Sequence, residues 1–168
     1  MQRFYWVIDE ILAGCSLPGG SEHGGRRGNV DAAEMRAALE RDLALLQRKG
    51  IQAVLTLTES SLADDVLANS GLTYLHIPVP DLHAPTPVQL QQAIAFIDAQ
   101  SARGHATAVH CLMGQGRTGT VLAAYLIRNG LTAQEALDEI RRRCDGAISA
   151  QEQEDALRLF AGSRAWVV

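Results

Sequence analysis

The stretch Ala106-Thr107-Ala108-Val109-His110-Cys111-Leu112-Met113-Gly114-Gln115-Gly116-Arg117-Thr118-Gly119 constrains this chain more than any other. A short apolar run ends on a cysteine, and an arginine follows six positions later. The glycine-bearing turn between them opens into a predicted helix, Thr118–Arg128, which Asn129-Gly130 ends. Strand, tight loop and helix N-terminus in that order belong to an α/β architecture. Such a loop is also an anion site, because backbone N–H groups at a helix N-terminus converge on one point. Gly114, Gly116 and Gly119 permit the backbone angles and close approach a cradle needs. Arg117 adds a planar, bidentate grip on two phosphate oxygens. The same ring of donors stabilises a thiolate on Cys111 and makes it a nucleophile toward phosphorus. Thr118 brings a hydroxyl that can hydrogen-bond the sulfur, and His110 is placed to hold the loop's backbone rather than to act as a base. Leu112, Met113, Gly114, Gln115, Gly116 and Arg117 thus read as a phosphate-binding loop with Cys111 at its floor.

The rest of the chain supplies the scaffold. Phe4–Ile8 and Ile11–Cys15 read as two short strands, followed by a mobile glycine-rich loop, Gly14–Gly28, that carries Arg26 and Arg27. Asp31 and Glu34 form an expected capping box for a helix to about Arg48, stopped by Gly50. Ala53–Thr58 and Leu72–Ile77 read as strands, with a short helix, Ser61–Ala68, between them. Thr86-Pro87 looks like an N-cap with proline in the first turn of a helix to about Ala102. Thr132…Glu135 and Ser149…Glu152 are expected capping boxes for two further helices. The alternation predicts an α/β fold: a mostly parallel central sheet of about four to five strands flanked by helices. At 168 residues, one domain spanning 1–168 is expected, with 19–28 as a flexible Gly/Arg-rich loop.

Composition narrows the function. A net charge of −4 and a pI near 5.7 argue against a nucleic-acid binder that neutralises many phosphates. No segment approaches the roughly 18 uninterrupted apolar residues of a membrane span, and the N-terminus does not read as a signal peptide. Three distant cysteines, Cys15, Cys111 and Cys144, make no disulfide framework, so a cytoplasmic location is expected. Cys15 and Cys144 read as plain core or helix cysteines, and His83 as an exposed loop residue. The five histidines have no close pairing with cysteine or carboxylate, so no metal or other cofactor is expected.

His110-Cys111-x5-Arg117-Thr118 resembles the signature of the cysteine-dependent protein tyrosine phosphatases, and Ile77-Pro78-Val79-Pro80-Asp81 looks like their general-acid loop. Phe4-Tyr5-Trp6-Val7-Ile8, Leu57-Thr58-Glu59 and Glu152-Gln153-Glu154 extend the similarity to the small atypical dual-specificity phosphatases of the VHZ type. The stretch around Gly19–Gly28 departs from that pattern. The resemblance implies that Asp81 protonates the leaving oxygen and later activates water. It implies that Gln153 positions that water, and that Glu59 supports the floor of the site or substitutes in part as acid. Without it, Gln153 is a helix-face glutamine and Glu59 a strand-end carboxylate. The implied substrate is a phosphorylated protein or peptide, phosphotyrosine first, then phosphoserine or phosphothreonine. With no basic residue between Cys111 and Arg117, a polyphosphorylated lipid is disfavoured. The alternatives are a small metabolite, a sugar phosphate or an RNA 5′-triphosphate handled by the same chemistry, or a non-catalytic phosphoprotein-binding module. Oligomeric state stays open.

Overall fold

The computed structural model describes residues 1–20 and 31–163. Of the expected mobile loop, residues 21–28 therefore lie outside the described residues, and Gly14 and Cys15 at its start belong to a strand. Along the chain run β1 (Phe4–Ile8), β2 (Leu12–Cys15), α1 (Ala32–Arg48), β3 (Ile51–Thr56), α2 (Asp64–Ser70) and β4 (Thr73–His76). After them come α3 (Pro87–Ser101), β5 (Ala106–His110), α4 (Gly116–Arg128), α5 (Ala133–Arg143) and α6 (Gln151–Gly162). The strands form one sheet in the order β1-β2-β5-β3-β4. β1 pairs antiparallel with β2; every other pairing is parallel. This is the predicted fold class, with five strands among the described residues.

Side chains alternate across the sheet, and each face has its own helical cover. Leu12, Leu55 and Val109 point into a core completed by α3, α4, α5 and α6. Their neighbours Ala13, Val54 and Ala108 point the other way, onto Leu39, Leu43 and Leu46 of α1 and Val66 and Leu67 of α2. The strand that leads to Cys111, β5, is buried at every position because a neighbour flanks it on both edges and helices cover both faces. The helix after it, α4, is buried continuously from Arg117 to Leu126, so it is a core helix rather than an amphipathic surface one.

Several boundaries differ from the sequence expectation. α4 begins at Gly116, so Arg117 and Thr118 sit inside its first turn rather than before it. α2 starts at Asp64 after the uncapped Ala63. At α1 the Asp31 side chain accepts from Ala33 N, and no reciprocal bond from Glu34 completes the box. The box expected at Ser149…Glu152 does not form either. Ile148 takes a left-handed backbone (φ 53°), and its side chain packs where a Cβ on Gly119 would stand 2.9 Å away. The helix then starts one residue later than a Ser149 cap requires, with Ala150 as its uncapped N-terminus. Glu152 is left free for another partner.

Candidate active site

Strand ends deliver the site. β3 and β5 are in register at Thr56 and His110, and beyond them Leu57 N donates to His110 O (2.9 Å) and Val79 N to Leu57 O (3.1 Å). These bonds carry the sheet's order into the segments bearing Cys111, Glu59 and Asp81. His110 is fully buried. Its Nε2 lies 2.6 Å from Thr56 Oγ1 and its Nδ1 3.3 Å from Cys111 O. A carbonyl can only accept, so Nδ1 carries the proton and Thr56 donates to Nε2. Burial, with lesser contributions from His76 and Arg117, pulls the pKa of His110 down to about 4 despite the bond to Cys111 O. The ring is therefore a neutral strut beneath the Cys111 carbonyl.

The loop 112–115 is turned inside out by bonds to its carbonyls. Leu112 O accepts from Leu17 N (3.1 Å), Met113 O from Arg3 Nη1 (2.6 Å) and Gly114 O from Tyr5 Oη (2.8 Å). Because a trans peptide points its N–H opposite its C=O, the amides of Met113, Gly114 and Gln115 are left facing inward. Gly114 has φ +72°, and a Cβ there would stand 2.5 Å from Cys15 O; no other residue fits without displacing β2. A Cβ on Gly116 would meet the Gln153 amide at 2.8 Å. Gln115 Nε2 anchors the loop to Asp145 O (2.7 Å).

Arg117 is 2% exposed, and a guanidinium so buried needs partners. Its Nη1 donates to Val79 O (2.8 Å) and Glu59 Oε2 (3.0 Å), and its Nη2 pairs with Asp81 Oδ1 (2.7 Å). Glu59 also accepts from Asp81 N through Oε1 (2.8 Å), so one carboxylate ties the arginine to the loop bearing Asp81. Hydrogen bonds from its own backbone, Arg117 and Asp81 N hold Glu59 below the usual carboxylate range. Cys111, Arg117, Asp81, Leu112, Met113, Gln115, Gly116 and Gln153 line one pocket of about 160 Å³. Thr118 is fully buried with its hydroxyl unpartnered, as is Gln153 Oε1. A larger hollow of about 630 Å³ opens beside Glu59, toward Met35, Arg36 and Leu39, and has no cysteine among its lining residues.

Of the candidate site residues, Cys111, Arg117, Asp81 and Gln153 thus meet at this pocket. His110 is bonded to the Cys111 carbonyl, Glu59 to Arg117 and Asp81 N, and Thr118 follows Arg117 in the first turn of α4, whereas Arg26 and Arg27 lie outside the described residues. Gln153 is not the exposed helix-face residue its position alone suggests; it is 2% exposed. Cys15 and Cys144 are buried, and burial raises the Cys144 thiol. His83 is exposed but pairs with Glu152 (3.2 Å). Tyr5 and Glu152 were not legible as site residues, although Gly14 was a clue to Tyr5. A glycine inside a strand signals close approach, and a Cβ there would stand 2.4 Å from the Tyr5 ring. Among the described residues no group of three or more His, Cys, Asp or Glu is arranged to hold a metal ion, and no helix is long and apolar enough to cross a membrane.

The chain is similar to several known proteins. Over 106 residues the chain is 32% identical to the phosphatidylglycerophosphate phosphatase PTPMT2 of Arabidopsis thaliana, covering 60% of this chain and 46% of that protein. Over 109 residues it is 28% identical to human protein tyrosine phosphatase type IVA 3, covering 64% of this chain and 63% of that protein. It thus spans about half to just under two thirds of these curated relatives. The crystal structure of Tk-PTP in its active form superposes with a TM-score of 0.77 at 29% identity, covering 94% of this chain and 95% of that one. A family described as the polymorphic toxin system DSP-PTPase phosphatase (Tc-R-P) matches residues 29–131, a stretch that contains Glu59, Asp81 and the whole run from His110 to Thr118. The chain belongs to this DSP-PTPase family.

Proposed function

We propose that this protein hydrolyses phosphate monoesters on phosphotyrosine-bearing proteins or peptides through a phosphocysteine on Cys111. The observation that carries this reading is the convergence of Cys111, Arg117 and Asp81 on one small pocket whose loop turns its amides inward. A phosphate entering the loop meets Arg117 Nη2, now held by Asp81 (2.7 Å), and takes the carboxylate's place. Val79 O and Glu59 keep the other guanidinium nitrogen aligned throughout.

The Cys111 thiolate attacks phosphorus, the P–O bond to the tyrosine oxygen breaks, and Asp81, released from Arg117 and protonated, gives its proton to that oxygen. The unpartnered Thr118 hydroxyl is available to the sulfur. In the second half, water attacks phosphorus, Asp81 accepts a proton from it, the P–S bond breaks, and the thiolate and inorganic phosphate are released. Gln153 Oε1, buried without a partner at the pocket wall, is an acceptor for that water. His110, neutral and bonded on both nitrogens, takes no part in proton transfer.

The rim favours an aryl phosphate. Leu82, Leu112 and Met113 stand 76%, 49% and 51% exposed, an apolar collar with no basic residue among them. Such a collar suits a phenol ring better than a second phosphate. A second reading has its own support: the PTPMT2 relative acts on phosphatidylglycerophosphate, and an apolar collar also suits the interface of a lipid phosphate.

The test compares kcat/KM for phosphotyrosine and phosphoserine peptides, a sugar phosphate, an RNA 5′-triphosphate and short-chain phosphatidylglycerophosphate, alongside Cys111→Ser. We expect phosphotyrosine peptide to lead by at least tenfold and Cys111→Ser to lose turnover and phosphoenzyme on rapid quench. Full activity in Cys111→Ser would overturn the mechanism; preference for the lipid would overturn the substrate.

A further inference from the structure

The segment that carries Asp81 has little of its own to hold it. Between β4 and α3 it runs as a turn whose tip, Leu82, is 76% exposed and adopts a left-handed backbone (φ 65°). For a residue with a branched side chain that conformation is unfavourable, and it persists only where neighbours fix it. Within the turn, His83 N donates to Pro80 O (3.2 Å). On the upstream side, Glu59 Oε1 accepts from Asp81 N (2.8 Å).

The downstream side is held from the far end of the chain. Glu152, in the first turn of α6, accepts from Ala84 N through Oε1 (3.1 Å) and meets His83 Nδ1 at 3.2 and 3.3 Å with its two oxygens. The next residue, Gln153, donates through Nε2 to His83 O (3.2 Å). The backbone polar groups on both sides of Leu82 are thus tied, from the segment after β3 by Glu59 and from α6 by Glu152 and Gln153. The Ala84 N–H, ahead of His83, holds the Glu152 carboxylate below its usual range, so the bond is a charge-assisted one. Because no Ser149 cap forms, Glu152 is not engaged at its own helix terminus.

We infer that Glu152 is a positioning residue for the acid step: through Ala84 N and His83 it holds the left-handed turn that keeps Asp81 over the leaving oxygen. The inference rests on the phosphatase reading above. A misplacement of about 1 Å in a proton donor is enough to lose a large part of its effect. Loss of the clamp therefore acts on substrates whose leaving group needs a proton and spares the thiolate attack.

The experiment measures kcat for phenyl phosphate, whose leaving group needs protonation, and for 2,4-dinitrophenyl phosphate, whose leaving group departs as the anion. Wild type, Glu152→Ala, Glu152→Gln and Asp81→Asn are compared, the last as the reference for lost acid catalysis. Glu152→Ala should raise the dinitrophenyl-to-phenyl ratio about tenfold, toward that of Asp81→Asn. Glu152→Gln, which still accepts from Ala84 N, should bring the ratio back to within about threefold of wild type. Equal losses on both substrates, or a ratio left at the wild-type value, would overturn the inference. Should the alanine variant not fold, hydrogen exchange in the unaltered protein decides: Ala84 N–H should exchange at least about tenfold slower than a free peptide, and exchange at the free rate overturns the clamp. A wild type that turns over neither ester overturns the phosphatase reading and this inference with it.

Discussion

His110 shows how one buried side chain ties stability to pH. In the folded chain it stays neutral down to about pH 4, whereas the unfolded chain takes up that proton near 6.5. Between those values the unfolded state binds more protons, so stability falls as the pH drops from about 6.5 to about 4. Above 6.5 the group contributes no pH dependence, and below 4 the loss levels off. The full span corresponds to about 3 kcal/mol at about 1.4 kcal/mol per unit. Urea unfolding at pH 7 and pH 5 should therefore show a lower midpoint at pH 5. In His110→Asn, already weakened at pH 7 by loss of the bond to Thr56, the difference between the two pH values should shrink. An equal difference in both proteins would mean that other groups carry it.

At the scale of elements, the loop after Cys111 depends on the strand beside it. Gly114→Ala would place a methyl 2.5 Å from Cys15 O at a positive φ, costing about 1–3 kcal/mol of stability. It would also disturb the carbonyl that Tyr5 holds. Aryl-phosphate kcat/KM should drop more than tenfold, with a lower urea midpoint; wild-type values in both would show that the loop tolerates the change. Local signals predicted much of this layer. The N-cap expected at Thr86 and the box expected at Thr132…Glu135 both form, and at Thr86 the Gln89 side chain closes a box as well while its Nε2 donates to Pro78 O (2.7 Å). The run from strand to cysteine to arginine was legible because its chemistry is contiguous. What stayed hidden depends on partners distant in sequence. Glu152 matches a capping pattern locally, yet Ile148 packing against Gly119 moves the helix start and Ala84 N takes the carboxylate. Gln153 looks like a surface residue until Gly116, with no Cβ, lets its amide come close. Glu59 is an ordinary strand-end carboxylate until Arg117 and Asp81 N arrive on its two oxygens.

For the whole molecule, the sheet separates two packed layers, and only one of them contains Cys111. Leu43, 1% exposed on α1, belongs to the other. Leu43→Ala should cost about 2–5 kcal/mol in urea unfolding, with kcat of the folded protein within about twofold of wild type. A tenfold fall in kcat would show that the layers are mechanically coupled through the sheet. The family match ends at residue 131, whereas the bonds to His83 and Ala84 come from α6, beyond it. The signature and the brace thus lie in separate stretches of the chain. Two relatives alike from His110 to Thr118 but unlike at the start of α6 would share one phosphate cradle, yet would sort their substrates by the basicity of what departs.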